Sequence, residues 1–110
     1  MFKVGDIVRC ITDKYGITTY KRPCEIVGIP NKENIDVRCL GGDSSIFEVR
    51  ASLFEFVPKH EILHKGMYVE DKYEEKYKFK GYGARGIRVE HHWREFLDYD
   101  DIVYHKHFKV

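Results

Sequence analysis

One string in the chain spells a known catalytic motif, His60-Glu61-Ile62-Leu63-His64, an H-E-x-x-H. On a helix that spacing puts both histidines on one face to bind zinc, with the glutamate beside a bound water as general base. Pro58 stands just before the string and Gly66 just after, so at most about two helical turns fit, and no third-ligand motif follows. The string therefore reads as a connector, with a zinc hydrolase through His60, Glu61 and His64 as a distant alternative. His91-His92 and His105-x-His107 are read as solvated strand or edge residues rather than ligands. Cys10, Cys24 and Cys39 form an odd set with no C-x-x-C pair, spaced like strand residues, and are expected to be reduced, buried or half-buried thiols. Gly81-Tyr82-Gly83-Ala84-Arg85-Gly86 lacks both the Lys-Ser/Thr of a phosphate loop and the setting of a dinucleotide site. No catalytic residue, metal or cofactor is expected, and the chain is read as no enzyme.

Recognition chemistry is better represented. In a strand, Lys76-Tyr77-Lys78-Phe79-Lys80 places three lysines on one face and two aromatics on the other, with Tyr82, Arg85 and Arg88 close behind. Cations beside aromatics suit single-stranded nucleic acid, because phosphates pair and bases stack. Lys76, Lys78, Lys80, Arg85 and Arg88 are the candidate nucleic-acid contacts. Glu70, Asp71, Glu74 and Glu75 lie immediately upstream and oppose that field.

The elements that must position these groups read as short strands. Residues 2–11 alternate around Gly5, residues 23–29 are apolar-rich and end at Pro30-Asn31, and residues 35–40 alternate again. Gly41-Gly42-Asp43-Ser44-Ser45 breaks the chain before residues 46–50 resume it, and a short turn over residues 51–54 leads to Phe56-Val57. Five short strands in under sixty residues suit a small barrel. Lys and Arg number 19 against 18 for Asp and Glu in 110 residues, and the net charge of +1 argues against a salt-driven nucleic-acid or membrane binder. No apolar run approaches the roughly 20 residues of a membrane span. Met1-Phe2-Lys3 opens no secretory signal, so no membrane partner and a cytoplasmic location are expected.

The V-G-D-x-V start, an aromatic-bearing loop after strand one, the strand Cys24-Glu25-Ile26-Val27, a G-G hairpin and the F-E-V-x5-F-E-F close resemble the small SH3-like barrels. That group takes in KOW-type and Tudor-type modules and short accessory proteins of bacteria and tailed phages. The resemblance covers residues 2–57. It implies a binding module that offers loop aromatics from the first loop and the third-to-fourth strand hairpin. The matching residues are Tyr15 and Tyr20, with Tyr73 and Tyr77 in the second half. It also permits an inhibitor or modulator role of phage or mobile-element type.

The second half looks like a shorter copy of the first. Gly5-Asp6-Ile7-Val8 returns as Gly66-Met67-Tyr68-Val69 at an offset of 61, and Ile26 returns as Ile87 at the same offset. Leu40 returns as Leu97 at 57, and Val49, Phe54 and Phe56 return as Val103, Phe108 and Val110 at 54. The expected architecture is mainly β: two small SH3-like barrels in tandem, residues 1–58 and 63–110, packed together because each is small for a stable core. The alternative is a single α+β domain with an SH3-like N-terminal barrel, in which Val89, Trp93, Phe96 and Leu97 form a helix stripe. Strand is favoured for residues 90–97. The expected function is non-enzymatic binding of a macromolecule, a protein first and nucleic acid second.

Overall fold

A computed structural model of the chain describes residues 1–12 and 20–104. Tyr15, His105, His107, Phe108 and Val110, named above on sequence grounds, lie outside the described residues. The fold is mainly β: two antiparallel sheets, with no α-helix among the described residues.

The first sheet holds β1 (Ile7–Cys10), β2 (Pro23–Gly28), β3 (Asn34–Cys39), β4 (Phe47–Arg50) and β5 (Phe54–Phe56), in the order β4-β3-β2-β1-β5. A single 3-10 turn, Ala51–Leu53, swings the chain back so that β5 pairs with β1, which curls the sheet into a half-barrel. Alternation supplies its core: Val8, Cys10, Cys24, Ile26, Ile35, Val37 and Phe54 are buried together. The first strand is shorter than its alternation suggests. Gly5 takes φ +96°, and a turn there delays the ladder to Ile7.

The second sheet holds β6 (Tyr68–Glu70), β7 (Lys76–Tyr82), β8 (Gly86–Glu90) and β9 (Phe96–Asp98), in the order β6-β7-β8-β9. The 3-10 turn Tyr99–Asp101 follows β9, and Val103 then bridges back to Glu70 on β6. Both sheets thus run through one sequence of events: a four-strand meander, a 3-10 turn, and a return to the first strand.

Local hydrogen bonds repeat with it. Gly5 N–H donates to Ile26 O at 2.8 Å, and Gly66 N–H donates to Phe79 O at 3.1 Å. Ala51 N–H donates to Glu33 O, and Tyr99 N–H donates to Arg85 O. The register slips between Ile26 and Gly28 in one sheet and between Phe79 and Gly81 in the other, so both second strands carry a bulge at the same place. These pairings correct the alignment drawn from sequence. Ile26 answers to Phe79 rather than Ile87, Val49 answers to Leu97 rather than Val103, and Glu55 answers to Val103. The cause is the first loop, which is long between β1 and β2 and only residues 71–75 between β6 and β7.

The helix alternative fails at residues 89–97. β8 ends at Glu90, an irregular loop covers residues 91–95, and β9 starts at Phe96. The residues expected as continuous strand thus split into two strands and a hairpin loop.

The halves meet along a compact joint. Leu40 packs on the second core, Gly41 (φ +76°) lies so close that a Cβ there would come within 2.5 Å of the Tyr82 carbonyl oxygen, and Lys21 pairs with Asp100. Tyr82 Oη accepts the Leu63 N–H at 2.7 Å. The molecule is accordingly elongated, 45 × 27 × 24 Å.

Candidate functional site

The H-E-x-x-H string forms part of this joint. Lys59–Glu61 is one 3-10 turn, Leu63 is buried in the second core, and His64 points to solvent. Glu61 is taken by Arg9, whose guanidinium reaches it at 2.6 Å and Glu55 at 2.9 Å. Burial opposes the Arg9 charge, but the bonds to both glutamates outweigh it and hold the group firmly protonated. The two histidines therefore share no helical face, and the glutamate is a structural partner.

The lysine strand forms as expected, with Tyr77 and Phe79 inward and Lys76, Lys78 and Lys80 on the outer side. Register decides what that outer face looks like. Lys76 lies opposite Glu70, Lys78 lies between Tyr68 and Glu90 with its ammonium 3.8 Å from the Glu90 carboxylate, and Arg88 lies opposite Phe96 and beside Gly81. Arg85 belongs to the β7–β8 turn. Acids thus face Lys76 and Lys78, whereas Arg88 lies between Gly81 and Phe96.

Of the expected tyrosines, Tyr73 is 77% exposed at the tip of the β6–β7 loop, with the Lys72 ammonium 5.2 Å from its ring centroid. Tyr20 is half-buried beside Cys10, under Lys21. Tyr77 is buried, 3% exposed, and its hydroxyl donates to Asp71 Oδ2 at 2.8 Å, so its ring is not offered to a partner. Asp71 also accepts the Tyr73 and Glu75 N–H groups, at 2.8 and 3.0 Å. Burial raises this carboxyl, and the three donors, Tyr77 among them, more than offset it, so the group sits below the ordinary aspartate value. Asp71 builds the loop that lifts Tyr73 and faces inward, away from the lysines.

Facing that loop is the β8–β9 hairpin, where Trp93, the only tryptophan, is 73% exposed. His91 anchors the hairpin: its Nε2 lies 2.8 Å from Glu75 Oε1, and its ring packs on Tyr77, His92 and Trp93. Asp71, Lys72, Tyr73, Arg94 and Asp101 line a cleft of about 230 Å3 between the two loops and the 3-10 turn. Arg94 also borders the shallow depression over His91, His92, Trp93 and Phe96, so it stands between the two. Sequence reasoning misses Trp93 and Arg94 as site residues, because Trp93 fits the core-facing stripe of the helix alternative. The signal was there in a lone tryptophan set among His91, His92, Arg94 and Glu95.

Compared with known proteins, the chain matches no family model and no curated sequence.

Proposed function

We propose that the chain is a non-enzymatic protein-binding module, built as two SH3-like barrels in tandem, residues 1–58 and 63–110, whose second barrel presents the docking surface. The carrying observation is the pair of exposed aromatics, Tyr73 and Trp93, on facing loops with Arg94 between them. Tyrosine, tryptophan and arginine are the side chains that most often dominate interface energy, because they bury large area at low entropy cost. The repeated connectivity, matched bulges and matched 3-10 turns support the tandem reading. An inhibitor or modulator role of the phage accessory type rests on the resemblance, and a cytoplasmic location on the sequence pattern; no helix among the described residues is long and apolar enough to cross a membrane.

Nucleic-acid binding through Lys76, Lys78, Lys80, Arg85 and Arg88 is the second reading, supported by the outward lysines of β7. The two readings separate in one experiment. Protein is captured from nuclease-treated host lysate with the wild type, Tyr73→Ala and Trp93→Ala, and affinity for a single-stranded oligonucleotide is measured against salt. Each aromatic truncation should weaken the protein partner by about 2 kcal/mol, roughly thirtyfold, with little salt dependence. Tight oligonucleotide binding with a log–log slope near −3.5, about −0.7 for each of five phosphates, overturns the proposal.

A further inference from the structure

We propose that Cys24 and Cys39 form a reversible dithiol–disulfide site, closed by low-molecular-weight disulfides of the glutathione class. The two residues are direct cross-strand partners on β2 and β3, and their sulfurs are 3.4 Å apart. Leu40 N–H donates to Pro23 O at 3.0 Å, which makes that neighbouring pair a hydrogen-bonded one and leaves Cys24 and Cys39 in the next, non-hydrogen-bonded position. There, Cα atoms are about 4.5 Å apart, inside the window a disulfide spans. The other half has no such pair: the corresponding position holds the Tyr77 and His91 rings, with centroids 4.6 Å apart.

The two sulfurs are unequal in the way an exchange reaction needs. Cys39 is half-buried and Cys24 is fully buried. Cys24 Sγ lies 3.4 Å from Cys39 Sγ and 3.5 Å from the Arg22 carbonyl oxygen, and the Arg22 guanidinium, whose Nε–H donates to Leu40 O at 3.1 Å, stands beside the residue that follows Cys39. The neighbouring Cys24 sulfur and the Arg22 charge hold the Cys39 thiol below its ordinary value, while the Cys39 sulfur and burial push Cys24 up. Cys39 is therefore the member that deprotonates more readily, and it is also the accessible one.

The steps balance. Cys39 thiolate attacks one sulfur of RSSR, the S–S bond breaks, and RS⁻ leaves with a proton from solvent as RSH. Cys24, losing its proton to solvent, then attacks Cys39 Sγ in the mixed disulfide and expels the second RS⁻, which is protonated likewise. Two protein thiols are oxidised to one disulfide, and RSSR is reduced to two RSH. Side-chain rotation brings the sulfurs from 3.4 Å to bonding distance, and excess RSH or dithiothreitol runs the same exchange in reverse. Closure ties β2 to β3 next to Leu40 and Gly41, the residues that meet the second half.

The test treats the native full chain with oxidised glutathione, traps free thiols with iodoacetamide and maps peptides by mass spectrometry. We expect a Cys24–Cys39 linked peptide, an alkylated Cys10 after unfolding, and full reversal by dithiothreitol. Cys24→Ala should stop the reaction at a glutathione adduct on Cys39, and Cys39→Ser should remove reaction at Cys24 altogether. Circular dichroism confirms that each variant is folded, and the wild-type peptide map stands without them. A lasting glutathione adduct on Cys39 in the wild type, linkage through Cys10, or no reaction before unfolding overturns the proposal.

Discussion

At the residue scale, the proposed docking surface depends on a buried group behind it. Asp71 gathers the Tyr77 hydroxyl and two backbone N–H groups, and in doing so sets the loop that carries Tyr73. Its folded pKa is depressed, so its stabilisation is present above the ordinary aspartate value and fades as pH falls through the lower, folded value. Asp71→Asn should cost about 2 kcal/mol at neutral pH. It should also flatten the acid limb of a melting-temperature profile, which thermal unfolding between neutral and strongly acidic pH reads directly. None of this is legible in the sequence, where Asp71 stands in an acidic run and reads as one of four charges opposing the lysines. A side chain's direction depends on the turn it sits in, and that turn is made by Asp71 itself.

At the element scale, the first sheet was legible almost strand by strand, because residues 7–10, 34–39 and 47–50 alternate and Gly41-Gly42 punctuates them. The repeat was legible at its first strand and misaligned afterwards. Apolar matches such as Leu40 with Leu97 carry little register information, whereas the bulges at Gly28 and Gly81 carry a great deal and show only in the pairing. The same elements distinguish glycines that look alike in sequence. Gly5 (φ +96°) faces open space, while Gly41 (φ +76°) presses on the Tyr82 backbone. Gly5→Ala should cost about 1 kcal/mol and Gly41→Ala at least about 3 kcal/mol, the extra part coming from the clash at the joint. Urea titrations of the two variants measure the difference, and equal costs would mean the halves do not press together there.

At the scale of the whole molecule, two small cores share one joint, and the H-E-x-x-H string belongs to it. Glu61→Ala strips Arg9 of its closest partner and should cost about 1–2 kcal/mol, while exposed His64→Ala should stay within about 0.5 kcal/mol. Thermal unfolding of both variants checks the contrast, and a large effect of His64→Ala accompanied by lost zinc would revive the hydrolase alternative. The proposed docking surface sits on the second half's loops, so contact made there should be local and traceable to single positions. A photo-crosslinking phenylalanine analogue placed at Trp93, with Ile29 on the first half as the comparison site, tests this most directly in nuclease-treated lysate from the native host. The account predicts a discrete protein adduct from position 93, its loss on adding Tyr73→Ala, and none from position 29. Equal adducts from both positions, or adducts to nucleic acid from untreated lysate alone, would contradict it.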